Sequence, residues 1–194
     1  EIDHIIDNVK IVFAHEPEPK GSAHAIYLAK DFVKDDSFAL MFGDDLFSGD
    51  EPTLKELVKV HEKNNTNVIG VRPVLIENIS SYGCVKLEED NVVGIIEKPA
   101  IEEAPSNLAV VGRYILSSNI FKEIEDLKPG VNNEYQITDA IKKLIEKEKM
   151  KAVVINNEYY DIGSKLGYIK ANIDFSLKRD DLKKEVLEFI KTYE

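Results

Sequence analysis

The stretch at residues 37–47 constrains the fold of this chain most strongly, because a short apolar run here ends in Gly43, Asp44 and Asp45. Its length, with charged residues before it and turn residues after it, predicts a strand buried on both faces of a sheet that lies between helices. Ligands of such sheets gather beyond the carboxyl ends of the strands. The two carboxylates are therefore expected either to hold a hard cation such as Mg²⁺ or simply to form a solvated turn.

The overall charge limits the partners that the chain can bind. It has 25 basic and 36 acidic residues, a net charge of −11 and a pI near 4.9. A basic surface for nucleic acid or for an anionic membrane is therefore not expected. The apolar runs are also too short to cross a bilayer. An acidic protein that binds phosphates must concentrate its cations, or a metal ion, at one place.

The size and the cysteine content suit a single cytoplasmic domain. A chain of 194 residues can bury one proper core, so we expect one domain over residues 1–194. Cys84 is the sole cysteine, which excludes an internal disulfide and favours a reducing compartment. Residues 9–14 already have the pattern of a strand, so we expect a domain that is truncated at its N-terminus.

Strand and helix patterns alternate in the first part of the chain. The strand at residues 9–14 is followed by a helical pattern at 22–34, the central strand, a helix at 52–63 and a strand at 68–74. This alternation predicts a largely parallel sheet with crossover helices. Two strand patterns at 83–87 and 92–97 are separated by acidic turn residues, and they predict an antiparallel hairpin inserted into the fold.

The second half adds a strand at 108–116 and a late strand at 151–156. Helical patterns occupy residues 118–126, 138–149, 164–177 and 181–191, with Thr138 as a candidate cap for the second of them. The predicted fold class is α/β, one domain with a sheet flanked by helices and an antiparallel insertion.

Three further positions carry candidate chemistry, each with a simpler alternative. Gly21 lies where a loop enters a helix, so it permits either a close approach of the backbone to a ligand or a plain turn. Glu97 and Lys98 end a strand, where they can bind hydroxyls and a phosphate or form a surface ion pair. Asp161 precedes a helix, so it can complete a metal site with Asp44 or bond the backbone at the helix start.

Taken together, these motifs follow one another in the order of a known family. The chain resembles the UTP–glucose-1-phosphate uridylyltransferases among the sugar nucleotidyltransferases, over nearly its whole length. The segments that carry the resemblance are EPKGSAHA at 18–25, GDD at 43–45, YG at 82–83, EKP at 97–99, APSNLA at 104–109, VGRY at 111–114, EYQITDAI at 134–141 and YDIGSKLGY at 160–168.

The resemblance implies a Rossmann-like mixed sheet and transfer of a nucleotidyl group from UTP to glucose 1-phosphate, with Mg²⁺ as cofactor. It also implies a role for seven residues. These are Asp44 and Asp161 as metal ligands and catalytic residues, Lys98 as the catalytic residue that holds the sugar phosphate, Gly21 against the nucleobase, and Gly83, Glu97 and Asn107 in the sugar pocket.

Two departures from the family pattern change what is expected. The family's N-terminal glycine-rich loop, with the basic residues that embrace the triphosphate, has no counterpart in these 194 residues, so we expect this chain to fold but to be a very poor catalyst. Glu16 stands where the family has a base-reading glutamine, and a carboxylate cannot donate a hydrogen bond to uracil. Glu16 therefore weakens the expectation of uracil as the base. The stretch GDDLF at 43–47 also resembles the thymidylyltransferases, so a dTTP-dependent enzyme remains an alternative, as does a noncatalytic sugar-nucleotide-binding module. A glycosyltransferase is a more distant alternative for the enzyme class. The protein is also expected to form a homo-oligomer.

Overall fold

A computed structural model describes residues 7–33, 37–130 and 133–193 of the chain. A six-stranded sheet, which we call the main sheet, has the strand order β1-β6-β3-β7-β5-β4, and a separate two-stranded ribbon joins β2 to β8. The strands are β1 Ser37–Met41, β2 Asp45–Ser48, β3 Asn67–Pro73, β4 Gly83–Glu88, β5 Asn91–Glu97, β6 Leu108–Ser117, β7 Met150–Val154 and β8 Glu158–Asp161.

The main sheet is mixed, and the expectation of a largely parallel sheet is wrong. Strands β3 and β7 run parallel, whereas β6 runs antiparallel to both β1 and β3. The alternation of strands and helices could not reveal this, because β6 comes late in the sequence and inserts between two earlier strands. The hairpin prediction is confirmed, since β4 and β5 pair antiparallel across a short turn.

Strand β1 lies at the edge of the main sheet and is not buried on both faces. It pairs with β6, its side chains alternate between exposed and half-buried, and Met41 is 55% exposed. The buried central strand is β3, in which residues 67–71 are all buried. An apolar run identifies a strand but does not say how many neighbours the strand will have.

The N-terminal predictions are also corrected. Residues 9–14 form no strand, because none of the described strands pairs with them, and Phe13 is 91% exposed. The helix expected at 22–34 is shorter. It consists of α1 (Ser22–Tyr27) and a separate 3-10 turn at Lys30–Phe32, and residue 34 lies outside the described residues.

The remaining helices follow the predicted patterns, with ends that differ by up to five residues. They are α2 Thr53–Asn64, α3 Ile120–Glu125, α4 Ile137–Leu144, α5 Lys165–Leu177 and α6 Lys183–Lys191. Thr138 does not cap α4, because it lies inside the helix, after the cap residue Gln136. Ser164 does cap α5, since its hydroxyl oxygen accepts the backbone N–H of Gly167 at 3.0 Å.

Helices cover both faces of the main sheet, as expected for an α/β domain. On one face, Ile69 of β3 belongs to a large core built with α1, α3 and α4. On the other face, Val68 packs in a smaller core with Leu57 of α2. Successive β3 side chains thus enter opposite cores, because side chains alternate along a strand. Within the described residues, no helix has the length and apolar character to cross a membrane.

Candidate active site

The ribbon formed by β2 and β8 brings two distant carboxylates together. Asp44 immediately precedes β2 and Asp161 is the last residue of β8, and Asp45 and Asp161 face each other in the antiparallel register. Asp44 Oδ2 and Asp161 Oδ1 each lie 3.1 Å from the point that a Cβ on Gly163 would occupy. The two carboxylates therefore border the same small space, although they are 117 positions apart in the sequence.

Asp161 also serves the local backbone, which was the alternative interpretation of this residue. Its Oδ1 accepts the backbone N–H of Gly163 at 3.0 Å, and its carbonyl oxygen accepts the Ser164 hydroxyl at 2.9 Å. These bonds fix the carboxylate at the turn into α5. The second carboxylate oxygen is left for other partners, so backbone bonding and ligand binding are compatible at this residue.

Asp45 behaves differently from its neighbour Asp44. Its side chain is buried and accepts a hydrogen bond from the Tyr159 hydroxyl. Burial raises the pKa of the Asp45 carboxyl, while the bond from Tyr159 opposes that rise. Both carboxylates of the sequence motif border the cavity, but Asp45 is buried and bonded to Tyr159, whereas Asp44 lies beside Asp161.

Glu97 and Lys98 border the same cavity at the end of β5. The cavity measures about 270 Å³, and its wall includes both residues together with Asp44 and Asp161. Thr138 donates its hydroxyl to Glu97 Oε2 at 2.6 Å, which orients the carboxylate toward the cavity. Thr138 therefore supports a site residue, and does so from the first turn of α4.

Lys98 is held loosely and in an unusual conformation. Its Nζ lies 4.0 Å from Glu97 Oε1, and its side chain is 48% exposed. Its φ is 44°, a left-handed value that is uncommon for a residue other than glycine and is further restricted before Pro99. An ion pair at that distance and exposure contributes little to stability. The ammonium group is therefore available to an anion that enters the cavity.

Gly83 and Asn107 flank the cavity wall without forming part of it. Gly83 faces Glu97 across β4 and β5, and a Cβ on Gly83 would lie 3.3 Å from Glu97 Oε2. The missing side chain thus leaves room for the Glu97 carboxylate. Asn107 precedes β6, and its amide donates to the Val74 carbonyl at 3.3 Å. The structure places it beside the β3 end and outside the wall.

At Gly21 the backbone closely approaches another segment of the protein. Its φ is 107°, and a Cβ there would lie 2.6 Å from the Tyr135 carbonyl oxygen. The requirement for glycine is thus explained by packing against the segment before α4. Its neighbour Ser22 does line the cavity, and the Ser22 hydroxyl oxygen accepts the Ile137 N–H at 3.0 Å.

Glu16, the residue that departs from the family pattern, is tied to a histidine. Glu16 Oε1 lies 2.6 Å from His24 Nδ1, and this hydrogen bond lowers the pKa of the Glu16 carboxyl. The contact joins the N-terminal loop to α1. Glu16 is thus ionised in this arrangement, which keeps it a hydrogen-bond acceptor.

Sequence reasoning missed several residues of the wall. Tyr82 and Tyr159 both line the cavity, and burial raises the pKa of each phenol, with the Asp161 carboxylate adding to the effect. Tyr159 was detectable in principle, because it lies two residues before Asp161 in a strand and so shares its face. The described residues contain no cluster of three or more His, Cys, Asp or Glu suited to a metal ion.

Comparisons with known proteins place this chain in a family. A nucleotidyl transferase family matches residues 2–176. The chain is 36% identical over 196 residues to the UTP–glucose-1-phosphate uridylyltransferase YngB of Bacillus subtilis, covering 98% of this chain and 66% of that protein. It is 40% identical over 185 residues to UTP–glucose-1-phosphate uridylyltransferase 1 of Staphylococcus saprophyticus, covering 93% and 64%.

The fold has relatives among solved structures as well. A UDP-glucose pyrophosphorylase complexed with UDP-glucose superimposes with a TM-score of 0.87 at 36% identity, covering 92% of this chain and 70% of that one. The chain thus spans about two thirds of the length of the curated relatives it matches. With the family match covering most of its residues and the same mixed α/β fold, this chain belongs to the nucleotidyl transferase family.

Proposed function

We propose that the protein containing this chain transfers the uridylyl group of UTP to glucose 1-phosphate, forming UDP-glucose and pyrophosphate. The observation that carries the proposal is the meeting of Asp44 and Asp161 with Glu97 and Lys98 around one cavity, in a chain of this family. The names of the relatives support the choice of UTP and glucose 1-phosphate.

The donor set at the cavity suits Mg²⁺. Asp44 and Asp161 offer hard carboxylate oxygens from two strand ends, and Mg²⁺ in phosphate-transfer sites is commonly held by one or two carboxylates together with substrate phosphates. A metal ion bound there would offset phosphate charge and align the reacting groups. Two protein carboxylates are enough for such a site, because the substrate phosphates supply further ligands.

Lys98 binds the phosphate of glucose 1-phosphate in this proposal. A sugar-phosphate oxygen attacks the α-phosphorus of UTP, the new P–O bond forms as the bond to the bridging oxygen breaks, and pyrophosphate leaves with that electron pair. Lys98 neutralises the attacking phosphate and directs it, since its ammonium group is partly exposed and lies 4.0 Å from the Glu97 carboxylate. No covalent intermediate with the protein is required.

Glu97 orients the sugar. Because Thr138 already occupies Glu97 Oε2, the other oxygen accepts a glucose hydroxyl, and Gly83 leaves the carboxylate room. On the family match alone we assign Asn107, which lies outside this cavity wall, to the sugar pocket, and Gly21, whose neighbour Ser22 lines the cavity, to the nucleobase site.

The proposal includes a cytoplasmic location and a homo-oligomer. Among the described strands β1 pairs with β6 alone, and its lack of charged side chains suits self-association by strand pairing. Neither point affects the chemistry at the cavity.

The test measures pyrophosphate release with UTP, glucose 1-phosphate and Mg²⁺. A protein that contains this chain at the full length of its relatives should turn over, and Asp44→Asn should remove the activity. This 194-residue chain should release far less pyrophosphate. Product formation that is faster with dTTP would favour the thymidylyltransferase alternative. Tight binding of UDP-glucose without turnover by the full-length protein would favour a noncatalytic binding module.

A further inference from the structure

The two carboxylates of the proposed metal site are carried by a ribbon that is small. Strands β2 and β8 have four residues each, and they form a sheet separate from the main sheet. A two-stranded ribbon of this length is marginally stable by itself. Some other contacts must therefore hold Asp44 and Asp161 at a constant distance.

The strongest of these contacts crosses the ribbon diagonally. Tyr159 faces Phe47 in the register, and its ring packs on the Phe47 ring with centroids 5.3 Å apart. Its hydroxyl then reaches the Asp45 carboxylate, two positions along β2. Asp45 itself faces Asp161 and directly follows Asp44. This hydrogen bond therefore joins the two strands at the end that carries both carboxylates.

Contacts with β6 of the main sheet also hold Asp45 in place. Gly112 of β6 has a φ of 43°, and a Cβ on it would overlap Asp45 Oδ2. Arg113 donates to the Asp45 carbonyl and, at 3.1 Å, to the Phe42 carbonyl. Its guanidinium group also lies 4.8 Å from the centre of the Phe47 ring. The Asp45 side chain thus fills a site shaped for it between the ribbon and β6.

We propose that Asp45 and Tyr159 form a positioning pair, which binds no substrate and sets the spacing of Asp44 and Asp161 for a divalent cation. The inference rests on the metal site of the proposed function. Asp45 borders the cavity, but we assign it no ligand role, because one of its oxygens accepts the Tyr159 hydroxyl and the other lies against Gly112. The pair acts through the ribbon, so its loss alters affinity for the cation while the fold remains.

The molecule offers a matched control in the next residue. Tyr160 is also a β8 tyrosine whose hydroxyl donates to an aspartate, at 2.5 Å to Asp174 of α5. It lies on the opposite face of the strand and outside the cavity wall. Tyr160→Phe therefore removes an equivalent Tyr–Asp bond without touching the positioning pair.

The experiment follows Mn²⁺ binding to this chain by electron paramagnetic resonance, with and without UDP-glucose. Tyr159→Phe keeps the ring and should weaken Mn²⁺ binding about tenfold or more, whereas Tyr160→Phe should change it less than twofold. Circular dichroism at the same temperature must show that each variant is folded. A Tyr159→Phe protein that binds Mn²⁺ as the unchanged chain does would overturn the inference.

Substitution of Asp45 separates positioning from direct ligation and from a folding defect. Asp45→Asn keeps an oxygen that accepts the Tyr159 hydroxyl, so Mn²⁺ affinity should stay within about threefold. Asp45→Ala should lose as much affinity as Tyr159→Phe. If Asp45→Asn loses as much as Asp45→Ala, Asp45 is a ligand or a charge, and the inference is wrong. Absence of Mn²⁺ binding by the unchanged chain, with UDP-glucose present, would instead contradict the proposed metal site as well.

Discussion

The centre of the main sheet and the β2–β8 ribbon differ in what holds them together. Residues 67–71 of β3 are all buried between helices, and β3 has strand neighbours on both sides. The ribbon has two strands, half-buried side chains and a buried carboxylate bonded to a tyrosine. Apolar burial stabilises the first region, whereas hydrogen bonds and ring contacts arrange the second. The folding energy of this chain therefore lies mainly away from the residues proposed to do the chemistry.

The core should show the largest effect on stability. Leu57 of α2 is completely buried against Val68 and Val111. Leu57→Ala should lower the free energy of unfolding by about 2–5 kcal/mol, because it removes apolar contacts and leaves a cavity. Urea unfolding measures this loss, and Leu166→Ala on α5, where the side chain is 60% exposed, is the control. Equal losses in the two variants would contradict the distinction between the regions.

Asp44→Asn should show the reverse pattern. It removes a candidate metal ligand, so Mn²⁺ affinity, or turnover of the full-length protein, should fall by roughly 100-fold, about 2.7 kcal/mol. Stability should stay the same or rise slightly, because the Asp44 charge repels the buried Asp45. A cooperative unfolding transition displaced to much lower urea would make Asp44 a structural residue and would remove the contrast with Leu57.

Lys98→Met should have a smaller effect, confined to the sugar phosphate. Methionine keeps much of the apolar stem and removes the charge, so binding of glucose 1-phosphate by the full-length protein should weaken about tenfold. The melting temperature should barely change, since the contact with Glu97 is long and exposed. Calorimetric titration with glucose 1-phosphate and a thermal scan together test this. Unchanged binding with a lower melting temperature would identify Lys98 as part of a structural ion pair.

The smallest expected effect is on stability at high pH, and it concerns Tyr160 on the β8 face opposite Tyr159. Burial, with the bond to Asp174, raises the pKa of Tyr160 to about 12. The folded state therefore retains a proton that the unfolded chain releases near pH 10, so this contribution to stability is present below pH 10 and is lost as the pH rises through about 12. The stability difference between the unchanged chain and Tyr160→Phe should shrink over that interval. Urea midpoints measured from pH 9 to pH 12 would show this, and a difference that grows with pH would contradict it.

Local patterns predicted most of the elements because those patterns reflect short-range physics. Alternation and β-branched residues marked β3 and β6, acidic turn residues marked the β4–β5 hairpin, and helical spacing marked α2 and α5. The ordered motifs also pointed to Asp44, Asp161, Glu97 and Lys98, which the fold brings to one cavity. The metal and substrate roles of these residues stay predictions.

The sequence by itself determined most of the segments that become strands and helices, and which residue types stand at strand ends, but it did not separate the short strands β2 and β8. The tertiary structure decided that β1 is an edge strand, that residues 9–14 form no strand, and that Asp45 turns away from Asp44 toward Tyr159. The physical reason is that side-chain periodicity extends over a few residues. A strand's neighbours, by contrast, come from segments far along the chain, as with Asp45 and Tyr159, which are 114 positions apart. Pairing at that distance follows from the packing of the whole domain.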